Sequence, residues 1–266
     1  MYFVNLIYKK LFRPLLFRLD AERAHDLASQ LLSITESSNI SRKFIQFLSS
    51  KNSSDIDLFG LSFPNHLGLG AGMDKNGSFP KSFASLGFGH VEIGTITPLA
   101  QSGNPKPRLF RYPKYNALVN RMGFNNDGAD VIINRIKQIY PKGERSVPLG
   151  INIGKGKNTP IDKAHEDYIY CLNQSFLQAD YITVNISSPN TPNLRDLHKM
   201  DLIAPLLKIL VNTNQSCAKK YKTLPVPLIL KISPDESYKS LENIICHARE
   251  CGFSGVIATN TTISRF

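Results

Sequence analysis

The chain has 266 residues, 42% of them hydrophobic, and a formal net charge of +11. That length and composition support one α/β domain of barrel size with a sizeable core, and the absence of any run of eighteen apolar residues excludes a spanning helix. The positive charge favours anionic partners, but no stripe of interleaved aromatic and basic residues accompanies it, so nucleic acid is not expected among them.

In residues 1–19, Phe3, Val4, Ile7, Leu11, Leu15 and Leu16 interleave with Lys9, Lys10, Arg13 and Arg18. This pattern predicts a basic amphipathic helix, too polar to span a bilayer and lacking the features of a signal peptide. Asp20 is placed to cap a second helix, on which Ala24, Leu27, Ala28, Leu31 and Leu32 recur at helical spacing. Two readings stay open for residues 1–50: a cover over a barrel opening, or an extension lying on an anionic membrane surface. The remainder, residues 51–266, is expected to form the barrel domain.

Residues 56–65, IDLFGLSFPN, alternate around Gly60 like a tight hairpin. Six apolar segments follow, each ending in a polar or charged residue. HLGLGAG leads to Asp74 and Lys75, HVEIG to Thr95, PLGI to Asn152, YITV to Asn185, PLIL to Lys231, and GVIA to Thr259 and Asn260. Helical periodicity separates most of them, which predicts a repeated βα pattern and a parallel sheet with helices outside. Polar groups at the C-terminal ends of parallel strands are where such folds place their sites.

The connections carry further signals. The first helix is expected from about Asn76, with Gly87 as its C-cap. An insertion of about fifty residues follows Thr95; PRLFRY and NALVN read as a hairpin turning near residues 113–116, and NRMGFNN occupies residues 120–126. GKGKNTP after Ile153 fails the spacing of a nucleoside triphosphate loop, and Thr159 with Pro160 reads instead as a helix start. Helices are then expected near residues 160–178, 200–212 and 236–251.

The stretch YITVNISSPNTPNLR, residues 181–195, turns a strand into a stiff polar loop containing two prolines. It reads either as an ordinary Ser/Pro/Asn turn or as a loop that aims Asn185, Ser188 and Asn190. Cys171, Cys217, Cys246 and Cys251 are scattered and expected to be reduced thiols in a cytosolic setting. Cys246, His247 and Cys251 lack a second ligand pair, so no metal site is expected.

Together, LGLGAGMDKNG, EIGTITP, GNPKPRLFR, NRMGFNN, GINIGK, NISSPNTPNLR, KISPD and VIATNTT, in this order, resemble the signature segments of the dihydroorotate dehydrogenases. Ser188, where the soluble class carries cysteine, and the N-terminal helices resemble the membrane-associated, quinone-dependent class 2. Gly70 and Met73 replace the commoner alanine and leucine, and Asn193 stands where glycine is common, which the left-handed tolerance of asparagine permits.

The resemblance implies a (β/α)8 TIM barrel with an N-terminal helical extension, FMN as cofactor, and oxidation of dihydroorotate to orotate with a membrane quinone as final acceptor in pyrimidine biosynthesis. It implies Ser188 as catalytic base. It implies substrate contacts at Lys75, Asn120, Arg121, Met122, Gly123, Phe124, Asn185, Asn190, Asn260 and Thr261. Flavin contacts are implied at Ala71, Gly72, Met73, Asp74, Lys75, Thr95, Asn152, Asn185, Lys231 and Thr259. Arg111 is a candidate for lining a quinone entrance framed by the extension. A peripheral protein on the cytoplasmic side of the inner (plasma) membrane is expected. Only six of the eight barrel strands are visible and the chain stops just after the sixth, so the C-terminal part of the family's barrel is expected to be missing. The competing expectations are an inactive barrel fragment and an enzyme using a soluble acceptor.

Overall fold

The structure is a computed structural model and describes residues 6, 8–49 and 54–264. The expectations for Phe3, Val4 and Ile7 lie outside the described residues.

Six strands form one curled parallel sheet: β3 (Gly68–Leu69), β4 (His90–Ile96), β7 (Leu149–Ile153), β8 (Tyr181–Asn185), β9 (Leu228–Lys231) and β10 (Gly255–Ile257). They follow one another in spatial order from β3 to β10, as consecutive right-handed βα units require. These are six strands of an incomplete TIM barrel. Side-chain alternation gives the sheet two unlike faces. Val91, Ile93, Leu149, Ile151, Ile153, Ile182, Val184, Leu228 and Leu230 point outward into the main apolar cluster. At the intervening positions of the inner face, Glu92 bonds to Asn152, Tyr181 and Thr183, and Asn185 joins them through Thr95.

The outer layer consists of α4 (Pro80–Ser85), α5 (Ala129–Ile139), α6 (Ala164–Ser175), α7 (Met200–Tyr221) and α8 (Tyr238–Cys251). Ile132, Ile136, Leu172, Leu207 and Ile244 of these helices are buried against the outward residues of the sheet. The hairpin of β1 (Ile56–Leu58) and β2 (Leu61–Phe63) turns through Phe59 and Gly60, both with positive φ. Its Phe63 packs with Tyr181 and Ile229, closing the end of the sheet where the strands begin.

Several boundaries differ from the sequence reading. The first helix starts at Pro80 rather than near Asn76, because the Asp74 carboxylate accepts the Ser78 and Phe79 N–H groups at 2.8 Å each and holds residues 74–79 as a loop. The long segment after Thr95 contains the expected hairpin, β5 (Leu109–Tyr112) with β6 (Ala117–Asn120), but also α5, the barrel helix between β4 and β7. Thr159 does not cap a helix. Its carbonyl accepts Lys155 Nζ at 2.6 Å, a 3-10 turn occupies Ile161–Lys163, and α6 begins at Ala164. Helix α7 runs nine residues beyond position 212, to Tyr221.

The extension holds a π-helical turn (Tyr8–Phe12), α1 (Arg13–Leu16), α2 (Ala21–Ser37) and a further helix, α3 (Asn39–Ser49). Asp20 caps α2 as expected, accepting Glu22 N–H at 2.9 Å and Arg23 N–H at 3.2 Å. Two carboxylates fasten α2 to the barrel. Glu36 accepts N–H of Lys81 and Ser82 at 3.2 and 2.8 Å, capping α4, which has no capping side chain of its own. Glu22 is buried and meets Arg108 at 2.9 Å and Lys106 at 3.2 Å. Arg108 also donates to the carbonyls of Ser102 and Asn104, so this pair ties α2 to the loop before β5.

Burial alone would raise the Glu22 pKa, but hydrogen bonds and charge from Arg108 and Lys106 outweigh it and hold the carboxyl below its ordinary value. A depressed folded pKa means the tie contributes fully above the ordinary glutamate range and is lost as pH falls through the lowered folded value. The expected outcome is protease cleavage between α2 and the barrel that accelerates only in acid. Glu22→Ala should bring the same sensitivity at neutral pH, since removing one partner of a buried pair costs about 3 to 5 kcal/mol. Limited proteolysis across a pH series checks this, and identical cleavage of parent and variant at pH 7 would refute it.

Candidate functional site

The site lies at the C-terminal ends of the strands, where the inner face is lined by hydrogen-bonding side chains. Glu92 of β4 accepts Asn152 Nδ2 at 2.9 Å through one carboxylate oxygen. Its other oxygen accepts Tyr181 OH at 3.1 Å and Thr183 Oγ1 at 2.9 Å. Gly150 makes room for this arrangement, because a Cβ there would fall 2.2 Å from the Tyr181 ring. From Asn152 the chain climbs toward the mouth. Thr95 Oγ1 donates to Asn152 Oδ1 at 2.6 Å, and Asn185 Nδ2 donates to Thr95 Oγ1 at 2.9 Å. Asn185 Oδ1 then accepts Ser187 Oγ at 3.1 Å and Asn260 Nδ2 at 3.4 Å. The Asn185 backbone is anchored from outside by Tyr168, whose buried hydroxyl donates to its carbonyl at 2.8 Å; burial raises the Tyr168 pKa, keeping it a donor.

The loop after β8 is fixed on both sides. Ser188 is 4% exposed, and its Oγ accepts the Asn190 N–H at 3.2 Å. Asn190 Nδ2 reaches across to Asn120 Oδ1 at 3.2 Å, joining this loop to the end of β6. Asn193 adopts φ 56°, the left-handed geometry expected of it. Arg195 donates to the Ser187 carbonyl at 3.2 Å, pairs with Asp235 at 2.7 Å and donates to the Thr261 carbonyl at 3.1 Å. Three loops are thereby latched together. Thr191 Oγ1 is buried three residues beyond Ser188 with no hydrogen-bond partner among the described residues.

On the β3 side, Gly72 N–H bonds the Gly94 carbonyl at 2.9 Å and Gly94 N–H bonds the Asp74 carbonyl at 3.1 Å, laying residues 72–74 against the end of β4. Lys75 Nζ donates to the Gly72 carbonyl at 2.5 Å. Burial lowers the Lys75 pKa, Arg108 adds to this, and Glu22 and Asp74 oppose it. Asp74 is itself buried, which raises its pKa against the two N–H groups it caps. Its side chain is committed to that turn, whereas Ala71 and Gly72 are half-buried and Met73 exposed. Lys231 is half-buried at the end of β9, its backbone paired with β8 and β10, and its ammonium makes no hydrogen bond or ion pair among the described residues.

Of the NRMGFNN segment, Asn120 faces the loop of Ser188, while the Arg121 guanidinium turns away to the Pro107 carbonyl at 2.8 Å. The Met122 carbonyl accepts Asn104 N–H, and those of Gly123 and Phe124 accept Gln101 Nε2. The Phe124 ring lies beside Gly154. Asn260 is in the network, whereas Thr259 and Thr261 are exposed, Thr259 Oγ1 donating to the Asn260 carbonyl at 2.9 Å. The structure therefore unites Thr95, Asn152, Asn185 and Asn260 in one chain and pairs Asn120 with Asn190. Arg121 and Met73 stand apart from both.

Glu92, Ser187, Thr191 and Arg195 were not singled out from sequence. Glu92 did leave a signal, a lone carboxylate inside the apolar run HVEIG. Lys155 of the rejected phosphate-like loop is buried and donates to Gly156 and Thr159 carbonyls of its own loop, at 2.8 and 2.6 Å. Among the described residues no cluster of His, Cys, Asp and Glu could hold a metal ion, and the four cysteines are unbridged.

The chain resembles known proteins over most of its length. A family model described as Dihydroorotate dehydrogenase matches residues 54–266. The chain is 46% identical over 255 residues to the dihydroorotate dehydrogenase (quinone) of Legionella pneumophila (strain Corby), covering 96% of this chain and 73% of that protein. It is 46% identical over 253 residues to that of Acinetobacter baumannii (strain SDF), covering 95% and 72%. The crystal structure of DHODH in complex with ferulenol from Eimeria tenella superposes with a TM-score of 0.74 at 34% identity, covering 86% of this chain and 68% of that one. The chain belongs to the dihydroorotate dehydrogenase family.

Proposed function

We propose that the chain oxidises dihydroorotate to orotate, with FMN as hydride acceptor and a membrane quinone as final acceptor, in de novo pyrimidine (UMP) biosynthesis. The observation that carries this reading is Ser188, a buried hydroxyl in the loop after β8 whose Oγ accepts the Asn190 N–H, with Asn190 paired to Asn120 and Asn260 bonded to the neighbouring Ser187. Those neutral donors and acceptors suit a planar ring bearing imide groups, and the ammonium of Lys75, in the loop after β3, would suit its carboxylate.

The mouth also fits a flavin. A Cβ on Gly70 or Gly72 would meet nothing within 4 Å, so a flat ring can lie against the backbone there. Ala71, Gly72, Met73, Lys75, Thr95, Asn152, Asn185, Lys231 and Thr259 would hold it, with Asp74 shaping the turn beneath. When bound, FMN supplies a two-electron acceptor for the hydride of one substrate carbon. The residues handle the rest. Ser188 Oγ takes the proton of the neighbouring carbon as its own hydroxyl proton passes on. Free serine is a very weak base, so orientation by the Asn190 N–H and exclusion of water at Ser188 carry its effect. Lys231 brings positive charge to the mouth where electrons accumulate.

The extension supports the quinone and membrane parts of the reading. Among the described residues no helix is long and apolar enough to cross a membrane. Leu11, Phe12 and Leu15 before and within α1, Leu31 and Ile34 on α2, and Ile40, Phe44 and Leu48 on α3 are nevertheless exposed. With Lys9, Lys10 and Arg13 beside them they form a surface suited to an anionic bilayer. This favours a peripheral protein on the cytoplasmic side of the inner (plasma) membrane, with residues 1–50 framing the quinone entrance. Arg111 donates to the Leu16 and Leu19 carbonyls and stacks 4.6 Å from the Phe17 ring, which puts it against that extension.

Two outcomes are expected. Ser188→Ala should slow single-turnover flavin reduction by dihydroorotate about 10²- to 10⁴-fold while leaving orotate affinity near the parent value; parent-rate reduction would remove Ser188 from the base role. Deleting residues 1–50 should spare flavin reduction but cripple reoxidation by a long-tailed quinone in vesicles. Equal loss in both half-reactions would count against the entrance, and a folded chain that binds no FMN would be an inactive scaffold.

A further inference from the structure

We infer that Glu92 is a positioning residue of the site, setting the direction in which the buried amides of Asn152 and Asn185 point. This rests on the function proposed above. Glu92 touches neither mouth nor solvent, being 2% exposed, and has no part in the chemistry assigned to Ser188.

The argument is one of hydrogen-bond polarity. A carboxylate only accepts, so the Asn152 group facing Glu92 must be its NH2. Asn152 Oδ1 is thereby turned toward Thr95, whose single hydroxyl proton is spent on it at 2.6 Å. Thr95 Oγ1 is left as an acceptor, and the Asn185 group facing it must again be NH2, at 2.9 Å. Asn185 Oδ1 consequently points to the mouth, where it collects the Ser187 hydroxyl, the Ser187 N–H at 3.2 Å and Asn260 Nδ2. Ser187 precedes the base, and Asn260 follows the last strand. An amide has nearly the same shape in both orientations, so packing alone cannot choose between them. The choice comes from the floor of the sheet. Tyr181 and Thr183 hold the Glu92 carboxylate on its other oxygen, so its free oxygen stays aimed at Asn152.

Two variants separate direction from charge. Glu92→Gln keeps an acceptor oxygen at the same reach, with its NH2 turned to the Tyr181 and Thr183 hydroxyls, which can rotate to accept. Glu92→Asp keeps the carboxyl group but withdraws it by one methylene from Asn152. The full chain of each is titrated with FMN by flavin fluorescence quenching, and flavin reduction by dihydroorotate is resolved into maximal rate and half-saturation. Expected is a Gln variant within about twofold of the parent and an Asp variant with FMN affinity weakened about tenfold or more, the scale of one buried hydrogen bond. The Asp variant should also reduce more slowly at saturating dihydroorotate. A Gln variant impaired as much as or more than Asp, or both variants matching the parent, would overturn the inference. So would loss of the folded state in both by circular dichroism, which would make Glu92 a residue of barrel assembly. If the parent itself bound no FMN and reduced none with dihydroorotate, it is the functional reading that would fall.

Discussion

A curled parallel sheet with a polar inner face is constrained above all by the need to pair every buried donor and acceptor. A made hydrogen bond returns only about 1 kcal/mol net, whereas a buried group left alone costs about 1 to 3 kcal/mol. On the inner face Glu92, Asn152, Thr95 and Asn185 are each 4% exposed or less, so water cannot satisfy them. They are satisfied by one another, in a line running from the floor near Tyr181 to the mouth at Ser187 and Asn260. The strand register makes this possible, since Gly94 of β4 stands opposite Asn152 of β7 and Asn152 opposite Thr183 of β8. A shift of one residue in any of these pairings would put the polar set into the apolar layer and the isoleucines into the site.

The same constraint governs the attachment of the extension. Helix α4 is only six residues long and lacks a capping side chain, leaving its first N–H groups to find acceptors elsewhere. Glu36 of α2 supplies them, and Glu22 of the same helix supplies the partner of Arg108. These two carboxylates lie at positions 22 and 36, near opposite ends of α2, so the helix is held at both ends. Its outward face is left apolar and exposed, at Leu31 and Ile34. The charges that fix the extension to the barrel are thus separate from the surface it offers to a membrane.

The six strands were legible because each combines an apolar run with a polar residue at its end, a pattern that packing and site geometry impose together. Ser188, Asn190 and Asn260 are candidates through their motifs, and the structure brings Asn190 to Ser188 and Asn260 to the neighbouring Ser187. Helix α5 was not, because it lies inside a stretch whose hairpin and NRMGFNN segment dominate the local signal. The late start of α4 was hidden because Asp74 reads as a strand-end site residue, whereas its carboxylate is held by backbone N–H groups four and five positions on. Thr159 misled for a related reason: Lys155 occupies its carbonyl, and local capping chemistry yields to a buried ammonium that must find acceptors. Glu92 was visible as a charge in an apolar strand, but its role depends on the neighbouring strands, which no local pattern discloses.

The stiffness of the loop after β8 suits the role proposed for Ser188, whose hydroxyl is a weak base. A base of well-matched pKa can tolerate some play in its position, but a serine gains effect only from being held at the right place in the absence of water. The loop meets that demand by several independent means. Pro189 and Pro192 restrict φ, Asn193 takes the left-handed turn, and the Asn190 N–H and Asn190–Asn120 contacts hold the Ser188 side from within. Arg195 holds it from the far end by tying Ser187, Asp235 and Thr261 together, so the loops after β8, β9 and β10 are latched at one guanidinium. No single contact in this set is strong. Their convergence on one short loop holds Ser188 in place, which is what the role proposed for a weak base requires.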